Sequence, residues 1–114
     1  MAQSEPLVFD VKDYRGRRII FTKKKLKEKR ADHPELDLVQ FIRAVKNAVI
    51  TPEEVWPDYF DSHKHCYYGK YETNMYAKVV VYVGVARGES RRVVSAYSID
   101  YVKERKYKTL KRIV

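Results

Sequence analysis

Met75-Tyr-Ala-Lys-Val-Val-Val-Tyr-Val-Gly-Val-Ala86 sets Met75, Ala77, Val79, Val81 and Val83 in alternation with Tyr76, Lys78, Val80 and Tyr82. Side chains of an extended strand point alternately to its two faces. The run therefore reads as a strand with one wholly apolar face for a core. Its other face carries tyrosines and a lysine.

The flanking segments have the same texture. His65–Glu72 and Arg91–Ile99 are rich in Val and Tyr, and Thr73-Asn74 and Arg87-Gly-Glu-Ser90 between them are turn-like. An antiparallel meander follows. Simple alternation puts Arg91, Val93, Ser95 and Tyr97 on one face of the last strand, with Arg92, Val94, Ala96 and Ser98 opposite. Glu54–Tyr59 contains Pro57 and is expected as an edge strand or extended loop.

Upstream the periodicity changes. Residues 7–11 and 17–21 read as short strands around the turn Asp13-Tyr-Arg-Gly16. Thr22 then caps a helix over about 23–32, with Phe21 and Leu26 at hydrophobic-staple spacing and Pro34 fixing the exit. A second helix is expected to open at Asp37. In it Leu38, Phe41, Ile42, Val45, Ala48 and Val49 recur at helical spacing, and Thr51-Pro52 ends it. Residues 101–112 fit a strand or a helix equally.

Charge is unevenly spread over the 114 residues. The net charge is +9, yet residues 12–30 hold ten Lys/Arg against two acids, and residues 101–112 hold six against one. Two basic segments on a mildly acidic body form a patch suited to a polyanion, above all nucleic acid. The first helix supplies Lys23, Lys24, Lys25, Lys27 and Arg30. No apolar run approaches the roughly 20 residues that span a bilayer, and the first residues lack a signal-peptide pattern. A cytoplasmic location is the expectation, with no membrane partner. Cys66 stands alone, so no intramolecular disulfide framework is available.

Ten tyrosines, most of them in the β half, are interleaved with lysine and arginine. That pattern suits bases stacked on rings such as Tyr76 and Tyr97 while cations track the backbone. It equally suits tyrosines that cover a core. His63-Lys-His65 lacks a matching acid or cysteine pair, so no metal or other cofactor is expected. What the residues permit is metal-free phosphoryl chemistry on RNA. His33 would serve as base or acid, Lys78 and Arg30 would stabilise charge, and Ser95 or a tyrosine would donate a hydrogen bond.

The order of these pieces resembles the barnase–EndoU–colicin–RelE nuclease fold, in its small phage- and mobile-element-associated branch. The resemblance is carried by Asp13-Tyr-Arg-Gly-Arg-Arg-Ile-Ile-Phe-Thr22, Asp32-His-Pro-Glu35, the second helix, Lys78-Val-Val-Val-Tyr-Val83 and Val93-Val-Ser-Ala-Tyr97. It implies an α+β domain with two N-terminal helices packed on a four-stranded antiparallel sheet, and RNA on the sheet's open surface. It also implies a catalytic role for His33, a supporting one for Ser95 and a weaker one for Lys78. Three functions stay open. The first is a metal-independent endoribonuclease of toxin type, restrained by an antitoxin or immunity protein. The second is a non-catalytic nucleic-acid-binding module. The third is a phage or mobile-element protein that binds a host protein.

Overall fold

A computed structural model describes residues 5–114. Strands β1 (Leu7–Lys12) and β2 (Arg18–Thr22) form the expected hairpin, and helix α1 (Lys23–Lys29) follows without a break. Thr22 caps α1 by accepting the Lys25 amide at 3.1 Å. The helix stops three residues short of the expected end, its last turn closed by the Arg30 amide on the Leu26 carbonyl. Pro34–Asp37 forms a 3-10 turn, so α2 (Val39–Ile50) opens on Leu38 and not on Asp37. The Glu35 carboxylate explains the offset. It takes both the amide and hydroxyl of Ser98, at 2.9 and 2.7 Å, and ties the 3-10 turn to the sheet.

Strands β3 (Glu54–Pro57), β4 (Lys64–Glu72), β5 (Met75–Tyr82) and β6 (Arg91–Ile99) complete one sheet in the order β1-β2-β6-β5-β4-β3. This corrects the four-stranded antiparallel expectation. The sheet has six strands and is mixed, because β2 lies parallel to β6 through Ile19↔Arg91 and Ile20↔Arg92. The first helix also follows two strands and is not N-terminal to the sheet. The physical reason lies in the hairpin and in β3. Both carry buried apolar residues that extend the same core, so they add strands at the sheet's two sides.

Helix α2 packs one face of the sheet with Phe41, Ala44, Val45, Ala48 and Val49 against Val55, Tyr67, Ala77, Val79, Val81, Val93 and Ala96. Leu38, expected in that core, is 42% exposed because it stands at the cap. The helix approaches β4 closely at Gly69, where a built Cβ would meet the Ala48 Cβ at 2.7 Å.

The other face is covered in part by residues 101–114, which form a 3-10 turn at Lys103–Lys106 and otherwise run extended. Val102 and Leu110 pack there on Trp56, Cys66 and Tyr68. The outer edge of β3 is closed by backbone bonds between Val55 and residues 113–114. An edge so paired cannot template another chain.

Candidate nucleic-acid interface

Register fixes the second face. Lys78 lies opposite Tyr97 and Val80 opposite Ser95, so Ser95 and Tyr97 share the face of Tyr76, Lys78 and Val80. The alternation expected along β6 fails here, since Val93 faces α2. A β-bulge causes it: Val80 pairs with Ser95 while the next residue, Val81, pairs with Val93. One extra residue flips the side-chain sequence.

The bulge sets Ser95 and Tyr97 on the face of Lys78. Helix α1 starts where β2 ends and packs beside the half of β6 that runs past its last pairing with β2. The chain leaves α1 at His33, whose ring stacks on Tyr97 with centroids 4.8 Å apart and planes 19° apart. The His33 ring and the Lys78 ammonium thus both lie on Tyr97, and Ser95 shares its face two residues back along β6.

Lys78 is the least accessible of the three. It is 3% exposed, with Nζ 2.6 Å from the Glu104 carboxylate and over the rings of Tyr68 and Tyr97 at 5.6 and 5.7 Å. The second Glu104 oxygen accepts the Tyr68 hydroxyl. Burial alone would raise the Glu104 carboxyl, but the bonds from Lys78 and Tyr68 outweigh it and hold it below the ordinary range. Burial likewise works against the Lys78 ammonium, and the bond to Glu104 more than restores it. The cation is present, and its charge is already matched.

Helix α1 keeps its charges in water. Lys23, Lys24 and Lys27 are exposed and enter no ion pair among the described residues. Lys25 pairs with Glu28 at 2.9 Å, and Arg30 reaches Asp37 only at 3.9 Å. Of the two tyrosines expected to stack on bases, Tyr97 is half-buried beneath His33, and Tyr76 is held edge-on to Tyr68 at 6.2 Å. Tyr67 and Tyr68 are sealed from solvent.

Asp58, Cys66 and Glu104 bring three donor atoms within 4.8 Å of one another. They suit a metal poorly. Both Glu104 oxygens are engaged, and burial pushes the Cys66 thiol far above its ordinary value, whereas a metal needs the thiolate. Sequence reasoning missed Glu104 and the Glu35–Ser98 clasp. Glu104 had left one trace, as the single acid of a basic segment.

No described helix is long and apolar enough to cross a membrane. No protein-family model, curated protein or solved structure matched the chain.

Proposed function

We propose that this chain binds single-stranded RNA along the edge made by α1 and the second half of β6. One observation carries the reading: the free lysines of α1 lead directly into the His33–Tyr97 stack. Cations beside a ring platform match what an unpaired strand offers, phosphates outside and base faces exposed. The Lys78–Glu104 pair supports binding over scission, since an ammonium matched by a carboxylate has little charge left for a pentavalent phosphate.

Fluorescence anisotropy with a labelled RNA oligomer tests this across a salt series. Affinity should fall steeply with salt. Replacing Lys23, Lys24 and Lys27 by glutamine should lower the slope of log K against log salt by about 2. An unchanged slope would place the binding surface elsewhere.

A cleavage reading rests on a separate observation, the grouping of His33 with Ser95 and Tyr97 on one face. It predicts scission in EDTA that leaves a cyclic phosphate and is lost in His33→Ala. Only that reading calls for a restraining antitoxin or immunity partner. Binding without scission in the same reaction would exclude it.

A further inference from the structure

At the far end of β6 from His33, four polar atoms are buried without a hydrogen-bond partner: Tyr14 Oη, Arg17 Nη2, His65 Nδ1 and Arg91 Nη1. They come from three places in the chain, the β1–β2 turn, β4 and the start of β6. A buried polar group left unpaired is costly, so single cases are rare in native proteins. Two of the four belong to side chains that line one cavity, those of Arg17 and Arg91.

The acceptor nearby is fully used. Asp13 Oδ1 takes the Arg15 and Arg17 amides, both at 2.9 Å. Its Oδ2 takes Arg17 Nε at 3.0 Å and the Tyr67 hydroxyl at 2.7 Å. Arg17 Nη2 lies 3.0 Å from the same Oδ2 without hydrogen-bond geometry. The Arg17 guanidinium also sits over the Tyr14 ring at 5.5 Å, and Tyr14 packs edge-on to Tyr67 at 6.0 Å. This carboxylate therefore serves the Arg17 guanidinium alone, and Arg91 enters no ion pair among the described residues.

Arg17 and Arg91 open onto a cavity of about 390 Å³ between the β1–β2 turn and the β5–β6 loop. Its walls add Arg18 and Arg87, with Glu89 the single acid. Arg18 is committed to Asp10 at 2.9 and 2.6 Å and Arg17 to Asp13 at 3.0 Å, which leaves Arg87 and Arg91, without an ion pair among the described residues, to face an occupant. Gly16 and Gly88, at φ +77° and +88°, supply the left-handed turns that fold both loops around the opening.

We infer that this cavity is a binding site for a phosphate monoester or inorganic phosphate. Tyr14 Oη and His65 Nδ1 can donate or accept, but the guanidinium nitrogens only donate, so the arginines that line the cavity call for an occupant that is rich in acceptors and negative. Guanidinium forks match phosphate oxygens in pairs. The cavity opens between the two loops, and guanidinium forks find more free oxygens on a terminal phosphate than on a phosphodiester. The site shares no residue with the α1–β6 edge and stands whether or not that edge binds RNA.

The test follows the His65 imidazole by NMR while inorganic phosphate is added to the protein, with 5′-phosphorylated and 5′-hydroxyl RNA oligomers as further arms. Phosphate should shift the His65 signals saturably. Arg91→Gln should weaken that binding about tenfold or more, through loss of a charge-assisted contact. Arg87→Gln, farther from the Asp13 network, should weaken it as well and guards against a misfolded Arg91 variant. A His65 response to the phosphorylated oligomer and not to the hydroxyl one would identify an RNA end as the source. A response to inorganic phosphate alone would identify a small phosphate. No response to phosphate, or equal binding in both variants, would overturn the site. Binding of 5′-hydroxyl RNA should be unchanged in Arg91→Gln, so this result is separable from the fate of the α1 edge.

Discussion

Lys78 and Glu104 lie on segments 26 residues apart and neutralise each other at 4% and 3% side-chain exposure. Taking both charges out of water is expensive, and their attraction repays it only with close geometry and further hydrogen bonds. Tyr68 provides one such bond to Glu104. Glu104→Ala should therefore cost about 3–5 kcal/mol, because it strands a buried ammonium. Replacing the pair together, Lys78→Met with Glu104→Leu, should recover most of that loss; urea unfolding of the three variants measures it. The contribution also depends on pH. The Glu104 carboxyl is depressed in the folded chain, so its stabilisation is complete above the unfolded value near about 4.3 and disappears as pH falls through the folded value.

At the scale of elements, Gly69 sets how closely α2 packs on the sheet, and the β6 bulge sets which side chains the opposite face presents. Gly69 lets α2 approach β4 until a Cβ would stand 2.7 Å from Ala48 Cβ and 2.8 Å from its Cα. Gly69→Ala should push α2 off the sheet and cost about 1–3 kcal/mol, read as a lowered thermal midpoint. Elements with a local code were legible in the sequence. Thr22 and Lys25 sit at capping spacing, Asp13–Gly16 at turn spacing, and Phe41, Val45, Ala48 and Val49 at helical spacing. The bulge was not, since nothing in Arg-Arg-Val-Val-Ser-Ala-Tyr marks which residue is the extra one. Only pairing with β5 decides that, and the faces of Ser95 and Tyr97 depended on it. The candidate site was legible to the same degree. Its residue types could be named, whereas Glu104 as the partner of Lys78 and Ser98 as the partner of Glu35 are long-range facts.

Over the whole molecule, a chain of net charge +9 is cross-linked by a few depressed carboxylates. Asp13 ties the β1–β2 turn to Tyr67, and Glu35 ties the 3-10 turn to β6. Glu54 binds Arg105 and the Trp56 indole, while Glu104 binds Tyr68 and Lys78. For all four, burial raises the carboxyl and hydrogen bonds from these partners more than offset it. Each therefore contributes above the ordinary carboxylate range and is lost as pH falls through its folded value, while self-repulsion of the basic chain grows. Two of the four, Glu54 and Glu104, hold residues 101–114, whose apolar anchorage is Val102 and Leu110 beside Trp56, Val114 at the margin of the larger core, and the Tyr107 ring stacked on Tyr59. The larger core beneath α2 does not depend on them. Acidification should accordingly release this segment first, as a local unfolding with its own lower free energy. Trp56 is the chain's one tryptophan, 8% exposed and packed under that segment, so its emission reports the release directly. Its red shift should begin at higher pH than the loss of far-ultraviolet circular dichroism from α2. Coincident transitions would mean that residues 101–114 belong to the same cooperative unit as the helix-packed core.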